Sequence, residues 1–198
     1  MDFKDIIIAT KNSGKMQEFK FLLNDHFKNF YSLLDFDFTP EIVEDEPTFA
    51  GNAIKKAEII SNYFDKVTLS DDSGLVVEAL NGEPGIYSAR YAGDNSTDED
   101  NLDKLLNQMK SVSNRKAKFV CVLALVLPNG QKEVFEGECE GLITEYKIGT
   151  NGFGYDPVFY ISRYDKTMAE LEPDLKNKIS HRSNAVKKLI NYLKIARY

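Results

Sequence analysis

Two adjacent carboxylates, Asp71 and Asp72, stand in the run Leu69-Ser70-Asp71-Asp72-Ser73-Gly74-Leu75, directly after the short apolar stretch Val67-Thr68-Leu69. Acids clustered at a strand end before a Gly-containing turn are where α/β proteins commonly build metal and phosphate chemistry. Side chains of neighbouring residues on an extended segment point to opposite faces, so the two acids divide the work: one faces a site and the other supports it. The same run is also ordinary turn chemistry, with Asp and Ser ahead of Gly.

A second candidate is Thr10-Lys11-Asn12-Ser13-Gly14-Lys15, between an expected strand and an expected helix. Backbone N–H groups at a helix N-terminus attract anions, helped by roughly half a positive charge from the helix dipole. Gly14 lets an anion approach the backbone, and Lys15 adds a full charge. The segment lacks the first Gly and the Gly-Lys-Ser/Thr ending of a Walker A loop. It reads equally as a helix start capped by Asn12 or Ser13.

Glu41, Glu44, Asp45 and Glu46 follow Pro40 in an acidic stretch. Mg²⁺ takes one or two carboxylates together with waters and substrate phosphates, so one acid from this loop and one from the Asp pair suffice to hold it. Gly149-Thr150-Asn151-Gly152-Phe153-Gly154-Tyr155-Asp156-Pro157 offers a wall for a flat base, with Asp156 able to accept from a ring N–H; an aromatic turn packed on the core is the plainer reading. Lys176-Asn177-Lys178-Ile179-Ser180-His181-Arg182-Ser183 puts cations at the start of the last helix, which is unfavourable there without an anion or an electron-rich ligand.

The elements that must hold these groups alternate. Lys4 to Ala9 reads as a buried parallel strand, and Met16, Phe19, Leu22 and Leu23 recur at helical spacing. Tyr31 to Leu34 reads as a second strand and 37–47 as a loop. Ala53, Ala57, Ile60 and Phe64 form a helical stripe with Lys55, Lys56 and Glu58 off it, and Val67 to Leu69 follows as a strand. Strand–helix–strand–helix–strand predicts an α/β sheet with crossovers. Residues 98–110 read as a helix capped by Thr97. Two long strands, 118–127 and 131–140, flank Pro128-Asn129-Gly130, and an amphipathic helix follows Ser180.

The chain has 198 residues, 42% of them hydrophobic, with a formal net charge of −6. That predicts a globular chain and argues against broad salt-driven nucleic-acid binding, while a local cationic cleft still suits an anionic small ligand. No apolar run is long enough to span a bilayer and no signal core follows the start, so the expected compartment is the cytoplasm. Cys121 and Cys139 read as small core residues, because two cysteines with His26 and His181 make a poor zinc site and a disulfide does not suit a reducing compartment.

Five motifs then fall in one order: Thr10-x-Asn12-x-x-Lys15, Asp71-Asp72-Ser73-Gly74-Leu75, Pro84-Gly85-Ile86-Tyr87-Ser88-Ala89-Arg90-Tyr91, Phe153-Gly154-Tyr155-Asp156-Pro157 and Ser180-His181-Arg182. In this the chain resembles the inosine triphosphate pyrophosphatase family, from about Ile6 to Leu193. The resemblance implies an enzyme that hydrolyses ITP, dITP and XTP to the monophosphate and pyrophosphate with Mg²⁺, usually as a homodimer, and so cleanses the nucleotide pool. It implies one domain over 1–198: an elongated, two-lobed α/β fold with a long, highly twisted mixed sheet flanked by helices and the active site in the cleft between lobes.

Residue by residue, Thr10, Lys11, Asn12, Ser13, Gly14 and Lys15 match the triphosphate-binding segment. Asp72 matches the catalytic acid that holds the metal or activates water, Ser73 beside it contacts substrate, and Lys56 matches a phosphate-neutralising lysine. Phe153, Gly154, Tyr155 and Asp156 match the base-stacking loop. Lys176, His181 and Arg182 match the segment that closes on base and phosphates. The metal-binding Glu matches best at Glu44, with Glu41 the alternative, since Glu44-Asp45-Glu46-Pro47 replaces the family's usual Glu-Glu-Thr-Gly. Gly51 stands where the family usually has Glu. Two other readings compete: a phosphatase with an Asp nucleophile, although Gly74 sits where its second Asp belongs, and a nucleotide-binding protein without turnover.

Overall fold

Ile6, Ile7 and Ile8 lie in Asp5–Ile8 (β1), a strand buried on both faces. The computed structural model describes residues 4–196; Met1 to Phe3 and Arg197-Tyr198, which the single-domain expectation included, lie outside the described residues. From β1 the chain runs through Ser13–Leu23 (α1), Asn29–Ser32 (β2), Phe49–Phe64 (α2), Thr68–Val77 (β3), Asp98–Gln108 (α3), Lys116–Val126 (β4), Lys132–Ile143 (β5), Phe159–Ile161 (β6), Lys166–Thr167 (β7), Pro173–Ile179 (α4) and His181–Ala196 (α5). Among the described residues the strands form one open, mixed, seven-stranded sheet in the order β2-β1-β3-β4-β5-β6-β7. β1 pairs in parallel with β2 and β3, and β6 is antiparallel to β5 and β7. No helix among the described residues is long and apolar enough to cross a membrane.

The chain divides into two compact units, the first made of residues up to Asp72, Cys121–Gly137 and the chain from Arg182, the second of Ser73–Val120 and Glu138–His181. In the first unit, strand alternation sends β1 into two clusters. Ile6 and Ile8 pack with Phe19 and Leu23 of α1 and with Val186 and Leu189 of α5. Ile7 and Ala9 pack with Ile60 of α2. Helices on both faces explain why β1 is apolar throughout rather than alternating. The pairing Ile7↔Thr68 and Ile8↔Leu69 carries this parity into β3. Leu69 joins the α1/α5 face, while Ser70 Oγ donates to Ala53 O of α2 at 2.5 Å. Asp71 therefore inherits the face of Leu69, and Asp72 that of Ser70.

The second unit has its own core, in which Leu75 and Val77 of β3 meet Leu102 and Leu105 of α3 and Met109 just after it, together with Phe119, Ile143 and Phe159. Thr97 caps α3 as expected, in a reciprocal box with Asp100. Gly130, at a φ of +83°, donates its N–H to Leu127 O at 2.9 Å and closes the expected turn between β4 and β5.

Three expectations change. β3 does not end at Leu69 but runs through Asp71-Asp72-Ser73-Gly74 to Val77. Turn propensity loses there to long-range partners: Asp71 pairs with Lys15, Asp72 accepts from buried Asn52, and Ser88 Oγ accepts the Leu75 N–H at 2.9 Å. β2 stops at Ser32, where Ser32 and Asp35 form a capping box over a short 3-10 turn, Leu33–Asp35. Lys176 lies on α4, separated from the last helix by Ser180, rather than at that helix's start. Neither cysteine is in a disulfide; Cys121 is buried in the first core and Cys139 half-buried, its thiol pushed up to about 11 by burial.

Candidate active site

Asp71 is the centre of a buried ion-pair chain in the first unit. Lys15 Nζ of α1 approaches its Oδ2 at 2.8 Å, and Arg182 Nη2 of α5 at 3.3 Å. Arg182 Nη1 also pairs with Glu18, one turn along α1 from Lys15. Burial pushes the Asp71 carboxyl up, but Lys15, Arg182 and Lys56 together reverse this and hold it well below the usual carboxylate range. Arg182 shows the mirror image: burial works against its charge, and Asp71 and Glu18 more than restore it. Asp71 is thus a permanent anion that fixes two cations.

Asp72 faces α2 and stands differently. Burial pushes its carboxyl up to about 6, Lys56 pulls it down, and the charge of Glu44 pushes it up again. Asn52 Nδ2 donates to Asp72 Oδ2 at 3.1 Å. Lys56 Nζ, one helical turn after Asn52, pairs with Glu44 Oε1 at 2.5 Å. Burial lowers the Lys56 pKa, but the charges of Asp71, Glu44 and Asp72 raise it further, so it stays protonated. The sequence stripe put Lys56 on the outer face of α2; it is instead buried, because these carboxylates compensate its desolvation.

Glu44, not Glu41, is the loop acid near Asp72; Glu41 is exposed. A Cβ on Gly51 would lie 2.8 Å from Glu46 Cβ, so the glycine makes room for Glu46 to cross the first turn of α2. Thr48 caps that turn by accepting the Gly51 N–H at 3.0 Å. At α1, Asn12 is the cap, accepting the Lys15 N–H at 2.9 Å, and Thr10 Oγ1 accepts the Asn12 N–H at 3.1 Å. Lys11, Asn12 and Ser13 stay exposed at this helix start.

The second unit holds the remaining candidates. Lys176 Nζ pairs with Asp156 Oδ2 at 2.6 Å and lies 4.8 Å from the centre of the Phe153 ring. The same Asp156 oxygen accepts the Phe153 N–H at 3.0 Å, closing the 153–156 turn. Gly152, at a φ of +81°, is required there, since a Cβ would come within 2.0 Å of Asp156 Oδ2. Gly154 N–H donates to Asp98 at 2.7 Å, and Tyr155 Oη to Ser88 O at 2.9 Å. His181 stacks on Phe119 with ring centroids 4.8 Å apart. Ser73 is half-buried on β3.

The structure therefore gathers Lys15, Lys56, Asp71, Asp72, Glu44 and Arg182 into one charged cluster, and Phe153, Asp156 and Lys176 into another. Asn52 and Glu18 carry contacts to which sequence reading gave no role. Asn52 had a signal, its i,i+4 spacing to Lys56 on the same helix; Glu18 had none beyond standing one turn after Lys15. Among the described residues no three His, Cys, Asp or Glu side chains converge as a metal cage.

A profile of the Ham1 family matches residues 6–192. A dITP/XTP pyrophosphatase of Bacillus licheniformis is 52% identical over 188 residues, covering 94% of this chain and 96% of its own. Among solved structures, the Ham1 protein of Staphylococcus aureus aligns with a TM-score of 0.86 at 46% identity, and a HAM1 protein from Coxiella burnetii with a TM-score of 0.87 at 41% identity; each alignment covers 96% of this chain and 98% of the other. With this coverage and identity, the chain belongs to the Ham1 family.

Proposed function

We propose that this chain hydrolyses non-standard purine nucleoside triphosphates, ITP, dITP and XTP, to the monophosphate and pyrophosphate. The observation that carries this is Asp72: a carboxyl poised at about 6 beside protonated Lys56, in a Ham1-family chain whose curated relatives are named dITP/XTP pyrophosphatases. A base needs a pKa near working pH to accept a proton effectively, and the desolvated Asp72 has one.

Water attacks the α-phosphorus, the bond from that phosphorus to the α–β bridging oxygen breaks, and the water's proton passes to the Asp72 carboxylate. Charge develops on the departing pyrophosphate, so positioned cations matter more than covalent help. Lys15 and Lys56 supply that charge, and the start of α1 from Thr10 to Gly14 holds the phosphate chain. Asp71 keeps Lys15 in place. The buried carboxyl of Asp72 beside Glu44 suits a hard divalent cation, which relieves their mutual repulsion and needs only one or two carboxylates besides phosphate oxygens. Asp72 and Glu44 would hold Mg²⁺, which when bound neutralises phosphate charge and makes water more acidic.

The purine stacks on Phe153, with Tyr155 behind the turn. The Phe153 and Gly154 N–H groups are already taken by Asp156 and Asp98, so Lys176 and His181 offer the donors to a 6-oxo group. ATP presents a 6-amino donor instead and leaves such a donor unpaired, at roughly 1–3 kcal/mol. Arg182 is committed to Asp71 and Glu18, so its task is to hold Asp71 rather than to read the base. We place the enzyme in the cytoplasm as a homodimer, as the resemblance implies. The test is a panel of nucleoside triphosphates with Mg²⁺, scored separately for pyrophosphate and orthophosphate. Pyrophosphate from ITP and XTP, with ATP and GTP poor, supports the reading; orthophosphate alone indicates the Asp-nucleophile phosphatase, and binding without turnover the sensor.

A further inference from the structure

Asn52 sits in the first turn of α2 and is 1% exposed. Its side-chain amide bonds in two senses: Oδ1 accepts the Glu46 backbone N–H at 3.0 Å, and Nδ2 donates to Asp72 Oδ2 at 3.1 Å. These two bonds fix the amide orientation, since a flipped group would set its NH₂ against an N–H and its oxygen against a carboxylate. One side chain thereby ties the acidic loop that carries Glu44 to the strand that carries Asp72. Glu46 also crosses Gly51 at the foot of the same helix, so the loop is seated on α2 at two neighbouring points.

We propose that Asn52 is a positioning residue for the hydrolysis, holding Asp72 in one rotamer and the Glu44 loop in register with it. The proposal rests on the pyrophosphatase reading. Its physical basis is preorganisation: a carboxylate that must meet a water and a phosphorus in line loses rate steeply when displaced, by about 10²-fold for 1 Å. Apolar packing at position 52 would fill the space but take the Nδ2 donor from Asp72 and leave the Glu46 N–H without its acceptor.

The experiment compares wild type, Asn52→Leu and Asn52→Ser by three readouts: kcat and KM with ITP, melting temperature, and amide hydrogen exchange at Glu46. Expected for Asn52→Leu is a kcat lower by about 10- to 100-fold, as for other outer partners of catalytic carboxylates, with KM within about threefold. The Glu46 amide exchanges faster. Asn52→Ser, which is small and still polar, carries the same comparison if the Leu variant does not fold, with a kcat loss of about tenfold expected. A folded variant with kcat within about twofold of wild type and only a lower melting temperature overturns the proposal and leaves Asn52 a structural residue. Failure of the wild type itself on ITP is a different result: it defeats the pyrophosphatase reading and the catalytic role of Asn52 with it, while the exchange data still report whether the amide bridge forms.

Discussion

Asp71 and Asp72 are consecutive on β3 yet face opposite sides of it: Asp71 is held by Lys15 and Arg182, Asp72 by Asn52. Asp71 is kept ionised far into acid, while the Asp72 carboxyl stands at about 6. One step along the strand separates a permanent anion from a carboxyl that burial pushes up towards neutrality.

Their substitutions should separate stability from catalysis. Asp71→Asn leaves Arg182 without one of its two carboxylates and is expected to cost about 3–5 kcal/mol, as for breaking one side of a buried pair. Asp72→Asn is expected to keep or raise the melting temperature near pH 7.5, since it removes a carboxylate that burial disfavours, while kcat with ITP falls by about 10²-fold or more. Calorimetry and steady-state assays on both variants read the two effects.

The acid limb of kcat/KM should follow Asp72. The groups facing it are Asn52 and Lys56 from α2, Glu44 from the acidic loop and Lys15 from α1. Below about 6 the metal-free carboxyl is protonated and can neither take a proton nor hold a cation, so activity is expected to rise with pH on the acid side, and the limb to move to lower pH as Mg²⁺ is raised. For stability the sign is the reverse. The folded state holds this proton more tightly than the unfolded chain, so the Asp72 contribution falls as pH rises from 3.8 to about 6. A pH series of kcat/KM with ITP and of melting temperature checks both directions.

Chelation by EDTA is expected to abolish turnover, and added Mg²⁺ to restore it. Glu44→Gln is expected to raise the Mg²⁺ concentration for half-maximal rate by about tenfold or more, and Glu41→Gln to leave it unchanged, because the Glu41 carboxylate is exposed while that of Glu44 acts on Asp72. A Mg²⁺ titration of the three proteins distinguishes these outcomes.

At the 153–156 turn, Lys176→Met removes the cation over the Phe153 ring and a partner of buried Asp156. We expect a higher KM for ITP and a stability loss of about 3 kcal/mol or more. Gly152→Ala, forced into a positive φ and against Asp156, should raise KM in the same direction. Wild-type KM in both variants contradicts a substrate role for this turn.

Much of this was legible in the sequence because local rules and the fold agree. The apolar triplet of β1, the Asn12 and Thr97 caps and the Pro-Asn-Gly turn follow from short-range preference. The division of labour between Asp71 and Asp72 follows from strand alternation alone, although only the register with β1 tells which acid faces α2. The length of β3 was hidden, because Asp-Asp-Ser-Gly carries turn propensity and the partners that overrule it lie at Lys15, Asn52 and Arg182. The burial of Lys56 was hidden for the same reason: its compensating charges come from other elements. The choice of Glu44 over Glu41 needed the path of the loop, which Asn52 and Gly51 shape.

The most direct measurement is hydrolysis of ITP in oxygen-18 water with mass analysis of both products. Attack at the α-phosphorus predicts the label in the inosine monophosphate and none in the pyrophosphate. Label in pyrophosphate or in orthophosphate would place the attack on another phosphorus and contradict the roles given to Asp72, Lys15 and Lys56.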